Sequence, residues 1–194
     1  FPIGVLQAGV PKFEPSLPDF KLDAINGLGM GPIIVAFAEF TTAWWEEKLG
    51  PVSGFRRIDS IFHSWDALFW DRPGAPVLRA FIGRRGADRS GQPEVIQSAF
   101  LSELNEMFPG IDLESQLVSF RIEDWVADPW SRGGVSVGPI GNDELRRELI
   151  RPTPPLFWAG EAAHVGGHAV ATHGALEAGR RSAVEAMHLL RPVR

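Results

Sequence analysis

The segment PLFWAGEAAHVGGHAVATHGALEAGRRSA, Pro155 to Ala183, carries more chemistry per residue than any other part of the chain. The apolar run Leu156–Ala159 predicts a buried strand, and Gly160-Glu161 a corner at its tip. A loop rich in Gly and His follows. A helix is then predicted to open near Thr172, with Gly174, Ala178 and Ser182 on one line and Ala175, Gly179, Ala183 and Ala186 on another. Small residues four apart let a helix lie close to a sheet or a ligand. A carboxylate at a strand tip facing a helix N-terminus offers one ligand an acceptor for sugar-like hydroxyls. The same ligand meets free N–H groups suited to developing negative charge.

Working outward, composition bounds the rest. The chain has 194 residues, 44% hydrophobic and 22% charged, which is ordinary for a globular protein. Its net charge of −5, without a basic run, gives no electrostatic case for nucleic acid or an anionic membrane surface. No apolar run reaches the ~18 residues of a transmembrane helix. The chain has no Cys, which removes disulfides, thiolate metal sites and a Cys nucleophile. It opens Phe1-Pro2 and reads as a mature or cut product, any targeting peptide being out of sight. The compartment stays open, with a soluble cytoplasmic protein favoured.

Along the chain, Phe1–Gly9 reads as a strand-like fragment and Phe20–Asn26 as a short helix. Gly27, Gly29 and Gly31 are spaced G-x-G-x-G, but PIIVAFAEF behind them is β-like. A phosphate loop must open a helix, so a flexible turn is expected. Ile33–Phe40, Ile58–Phe62, Ala67–Trp70 and Val77–Ile82 predict a small, largely antiparallel sheet, with turns at Asp71–Gly74 and Gly83–Gly91. Pro93 opens a helix to about Met107, and Leu117–Trp125 reads as a strand leading onward. Asn142 can cap a helix over Asp143–Ile150, which RPTPP then ends.

The order AGE, spacer, HGALEAG and small-residue helix resembles the C-terminal signature of the flavin-containing amine oxidases: monoamine, polyamine and L-amino-acid oxidases and histone demethylases of that fold. Two further blocks agree. Pro2, Gly4, Val5, Leu6, Phe13, Pro15, Leu17, Pro18, Ala24, Ile25, Gly29 and Gly31 fall in step with the family's crossover segment. Trp125 followed by DPWSRGG, Asp128–Gly134, matches a third.

The resemblance implies an α/β (α+β) fold, the C-terminal part of a two-domain FAD-binding architecture. Residues 1–30 would be the tail of the FAD-binding domain and crossover, 31–118 the substrate-binding domain with its antiparallel sheet, and 119–194 the rest of the FAD-binding domain. It implies FAD as cofactor, non-covalent as far as this chain goes, met by Gly160, Glu161, Ala171 and Thr172 and walled by Trp125 and Trp130. Val35, Val135 and His168 are the substrate-pocket candidates, for an amine or amino acid oxidised to an imine. The absent N-terminal G-x-G-x-x-G implies a second polypeptide that carries it.

Two further features depart from the pattern. The lysine that bonds a water near the flavin in G-x-x-x-K is Val35 here, in Gly31-Pro32-Ile33-Ile34-Val35, and a valine cannot relay a proton. The aromatic pair that sandwiches the amine falls on Val135 and Ala171, in a chain with no Tyr. No catalytic acid or base is therefore assigned, and a non-catalytic flavin-fold binding module is the alternative. A metal protein built on His164 and His168 is the weaker one. Gly166 and Gly167 stand between these histidines and disfavour a helix that would align them, so no metal site is expected.

Overall fold

The computed structural model describes residues 1–68, 76–141 and 143–190. Two compact units emerge: Phe1–Gly31 with Pro129–Arg194, and Pro32–Asp128. Residues 119–128, grouped by the sequence reading with the C-terminal segment, belong to the second of these.

The Pro32–Asp128 unit is built on an antiparallel sheet. Strands β2 (Ile34–Phe40), β3 (Gly54–Phe55), β4 (Phe62–Leu68), β5 (Val77–Ile82) and β6 (Leu117–Asp124) lie in the order β3-β4-β5-β2-β6. Alternation along β2 assigns the faces. Ile34, Ala36, Ala38 and Phe40 are buried together with their cross-strand neighbours Ile82, Ala80 and Leu78. Helix α4 (Pro93–Met107) contributes Ile96, Phe100 and Leu104 to this core, its buried residues four apart. Pro at its first turn sets the start, as the sequence predicts. Aromatic rings fill the interior: Trp65 and Phe100 are 4.5 Å apart between centroids, and Phe62 and Trp65 4.6 Å.

Helix α3 (Trp44–Leu49) follows β2 and was hidden by its shortness; Trp44 and Trp45 are both buried in the same core. The expected strand Ile58–Phe62 is corrected: Ile58 is solvent-exposed in a turn, and the strand runs from Phe62 to Leu68, absorbing Ala67. Phe69 and Trp70, and the turn at Asp71–Gly74, lie outside the described residues. Gly83–Gly91 holds a 3-10 helix, Arg84–Arg89, and α5 (Leu113–Gln116) precedes β6.

The other unit packs α1 (Ile3–Gln7), α2 (Asp19–Gly27) and α6 (Asp143–Ile150) around Ile3, Ala24, Ile25, Leu28 and Leu149. The expected strand-like fragment Phe1–Gly9 is instead helical over Ile3–Gln7: no ladder partner is offered among the described residues, and Val5 and Leu6 N–H groups close a helical turn on Pro2 O. Gly29–Gly31, expected as a turn, is a short strand β1 paired with β7 (Val135–Val137). Asn142, the expected cap of α6, lies outside the described residues. The C-terminus of α6 is closed by Lys21. Its ammonium donates to the carbonyls of Glu148, Leu149 and Arg151 at 2.6–2.8 Å, and lies 4.5 Å from the Trp158 ring centroid.

Leu156–Ala159 is corrected as well. Among the described residues the run forms no strand beyond one bridge, Thr153 to Leu156, and Leu156 is exposed. A strand needs a neighbour to satisfy its backbone, and no described strand lies beside this one. Arg181 anchors it instead, from helix α7 (Thr172–Leu190): its guanidinium donates to Trp158 O at 2.7 Å and Ala163 O at 3.3 Å. Among the described residues, no helix is long and apolar enough to cross a membrane.

Candidate functional site

The chemistry-bearing stretch assembles within the helical unit. Gly160 takes φ +107°, a conformation that favours glycine, and a side chain there would meet open space. The chain then turns through a one-turn 3-10 helix, Glu161–Ala163, which packs against α6, β7 and α7. Glu161 projects back to β7: its carboxylate accepts the Ser136 N–H at 3.0 Å and the Ser136 hydroxyl at 2.7 Å. Buried Arg146 completes this network, donating to Ser136 Oγ at 3.1 Å and Ala162 O at 2.8 Å.

Helix α7 begins at Thr172, where the sequence predicts it. Ala171 is the N-cap, since its carbonyl accepts the N–H of Ala175 at 3.1 Å. Thr172 is consequently the first helical residue and not the cap. Alanine has no side-chain oxygen with which to cover the first-turn N–H groups, so this helix head can serve an external acceptor. Gly174, Ala178 and Ser182 form the buried line of α7, while Ala175 and Gly179 of the second line are half-buried and Ala183 is exposed.

Of the other sequence-chosen residues, Trp130 and Val135 lie in the same unit, with Val135 on β7. Trp130 is 70% exposed, and Trp125, in the sheet unit, is 42% exposed. Neither is a core tryptophan. Trp125 is held at its backbone, donating to Ile33 O at 3.2 Å, and the preceding residue pins the turn. Asp124 accepts from Gly91 N at 2.8 Å, Val126 N and Ala127 N at 3.0 Å, and Ser90 Oγ at 2.9 Å. Burial works against that charge, but the surrounding donors outweigh it and hold the carboxyl below the usual aspartate value.

Val35 is buried on the sheet face opposite α4, flanked by Phe81 and Glu123 across the neighbouring strands. The structure does not gather all the candidates in one unit: Val35 and Trp125 belong to the sheet, and Gly160, Glu161, Ala171, Thr172, Trp130, Val135 and His168 to the helical unit.

Sequence reasoning missed Glu177 as a functional candidate. Its Oε2 lies 2.7 Å from His164 Nε2 and 3.5 Å from His168 Nδ1. Hydrogen bonds from His164 and then His168 hold the Glu177 carboxyl below its ordinary value. Spacing alone gave no signal, because a loop and not a helix brings these groups together.

An apolar cleft of about 330 Å³ adjoins the unpaired 156–159 run, lined by Ile3, Leu6, Phe13, Phe157 and Trp158 among others. A larger depression, about 660 Å³, lies in the sheet unit between Arg56, His63, Arg84 and Arg85. Its arginines are in part already matched, Arg56 to His63 and Arg85 to Asp59, and none was singled out by the sequence.

Comparison with known proteins extends these observations. The profile of the family described as Flavin containing amine oxidoreductase matches residues 1–187. Polyamine oxidase 5 of Oryza sativa subsp. japonica is 32% identical over 184 residues, which cover 92% of this chain and 36% of that protein. Lysine-specific histone demethylase 1 homolog 3 of Arabidopsis thaliana is 33% identical over 198 residues, covering 98% of this chain and 12% of that one. The structure of cyclohexylamine oxidase from Brevibacterium oxydans IH-35A matches with a TM-score of 0.79 at 23% identity, over 98% of this chain and 43% of that chain. At that identity the likeness shows the fold alone. The chain spans about a third of the rice polyamine oxidase and a smaller share of the demethylase.

Proposed function

The chain belongs to the flavin-containing amine oxidoreductase family, and on that premise we propose that it is the C-terminal part of an FAD-dependent oxidase acting on an amine or L-amino acid. The observation that carries this reading is the family match across residues 1–187, which takes in the Gly160-Glu161 corner and the head of α7. FAD would supply the two-electron acceptor for hydride from the carbon next to the amine nitrogen, giving an imine that water then hydrolyses.

The residues fit such a group at several points. Gly160 leaves open space where a close-lying ligand would need it, and the alanine-capped α7 offers N–H groups to developing negative charge. Exposed Trp125 and Trp130 are apolar surfaces suited to an aromatic ring. Glu161 fits in a different manner. With two acceptor positions taken by Ser136, it positions the corner and leaves its remaining lone pairs for a hydroxyl. Val35, Val135 and His168 stand as the substrate-pocket candidates.

The partner is the part of the fold that holds the G-x-G-x-x-G, in the same polypeptide or in a second one. The unpaired run 156–159 and the apolar cleft beside it are where its neighbouring strands would pack.

Valine in place of the family's lysine favours a second reading, a flavin-binding module without turnover. One experiment tests both. The purified protein, with whatever travels with it, is scanned for flavin absorbance and then mixed anaerobically with candidate amines and amino acids. Bleaching of a yellow complex supports the oxidase; a yellow complex that no amine bleaches supports the module. A colourless protein that takes up no FAD overturns both.

A further inference from the structure

The loop between Ala163 and α7 folds two imidazoles onto the flank of that helix. Gly166 at φ +108°, Gly167 at φ +92° and Val170 at φ +61° turn the chain back on itself, so histidines four residues apart stack at 5.5 Å without any helix between them. Gly174 lets the loop lie this close: a Cβ there would stand 1.9 Å from His168 O. One ligand atom each from His164, His168 and Glu177 then falls within 4.8 Å of the other two.

We propose that His164, His168 and Glu177 form a binding site for a divalent transition metal of the zinc class. Two imidazoles and a carboxylate are ligands that such an ion accepts. With bonds of about 2.0–2.1 Å, neighbouring ligand atoms on a tetrahedral ion stand about 3.3 Å apart. The two distances to Glu177 Oε2, 2.7 Å and 3.5 Å, straddle that value, so small side-chain adjustments let an ion replace the shared proton. The His164 side chain is only 11% exposed and fixes the inner ligand, whereas His168 and Glu177, each 51% exposed, leave an entry path and a fourth position for water. His173, its ring 4.6 Å from that of His168, braces the outer imidazole. No acceptor braces the inner imidazole from behind: His164 Nδ1 is buried without a hydrogen-bond partner among the described residues. The site therefore binds more weakly than a four-ligand structural zinc site.

The test is calorimetric titration of the chelator-stripped protein, purified as a whole, with zinc chloride. One zinc per chain is expected. His168→Asn and Glu177→Gln, both at half-exposed positions, should each weaken binding about tenfold or more. His63→Asn, in the sheet unit, should leave it unchanged. His164→Asn is read beside its thermal melt, because that side chain is largely buried. Absence of stoichiometric zinc binding, or wild-type affinity in both His168→Asn and Glu177→Gln, overturns the site. FAD content is read separately by absorbance, so zinc binding by a flavin-free protein sustains the metal site while counting against the oxidase reading, and zinc-blind flavoprotein does the reverse.

Discussion

Glu161 and Ser136 are joined twice, through the serine N–H at 3.0 Å and its hydroxyl at 2.7 Å, so the AGE corner is bolted to strand β7 and not left pointing into solvent. The carboxylate reaches across 25 residues of sequence to do this. Its first role is to fix the corner against a short strand whose partner in the sheet is β1.

Glu161→Ala removes both bonds and leaves the Ser136 N–H and hydroxyl short of an acceptor. A loss of about 2 kcal/mol in unfolding free energy is expected. Ser136→Ala, which keeps the N–H bond, should lose about half as much. Urea denaturation compares them. If the proposed cofactor role holds, Glu161→Ala also retains less FAD than Ser136→Ala at matched folded fraction.

Lys21→Met strips three carbonyls at the end of α6 of their shared donor and is expected to cost about 3 kcal/mol. The titration has a definite sign. Burial, with help from Arg151 and Arg181 and against the pull of Glu148, lowers the Lys21 pKa from 10.5 to about 8. The unfolded chain therefore holds the proton more tightly between pH 8 and 10.5. Wild type should gain stability relative to Lys21→Met as pH rises through that window, measured by thermal melts of the pair.

Asp124→Ala should destabilise by roughly 3 kcal/mol, because four donors around one carboxylate lose their acceptor. The folded-state pKa is depressed, so this contribution is complete above the ordinary aspartate value of 3.8 and fades as pH falls through the lower folded value. The gap between wild type and variant, measured in urea, should be full at pH 7 and narrow below 3.8.

Gly174→Ala places a methyl group on His168 O, a backbone atom that cannot step aside alone. About 1–3 kcal/mol of destabilisation is expected. The histidine loop should move away from α7, visible as lost protection of the loop amides in hydrogen exchange. Gly179→Ala, where a Cβ meets nothing within 4 Å, is the matched control and should be neutral or slightly stabilising.

Local patterns were legible where one element satisfies itself or alternates over enough residues. Pro93 and the four-residue recurrence of Ile96, Phe100 and Leu104 defined α4, and the apolar run Ile33–Phe40 announced β2, although only the fold showed which of its faces is buried. The start of α7 and its inner line of small residues were readable for the same reason. Leu156–Ala159 was misread because an apolar run names burial without naming a neighbour, and pairing is a property of the sheet. Phe1–Gly9 failed likewise: five residues carry too little periodicity to separate helix from strand.

From residue identity alone came a largely antiparallel sheet, the helix that Pro93 opens, the helix that opens at Thr172 and the motif order that resembles the family. Those features depend on periodicity and spacing along the backbone, which any reader of the chain can count. Tertiary structure alone determined that Glu161 meets Ser136, that Lys21 closes α6, and that Glu177 meets His164 and His168. Each of these joins groups through loop reversals and packing, up to 130 residues apart in the chain, and no local pattern encodes such meetings.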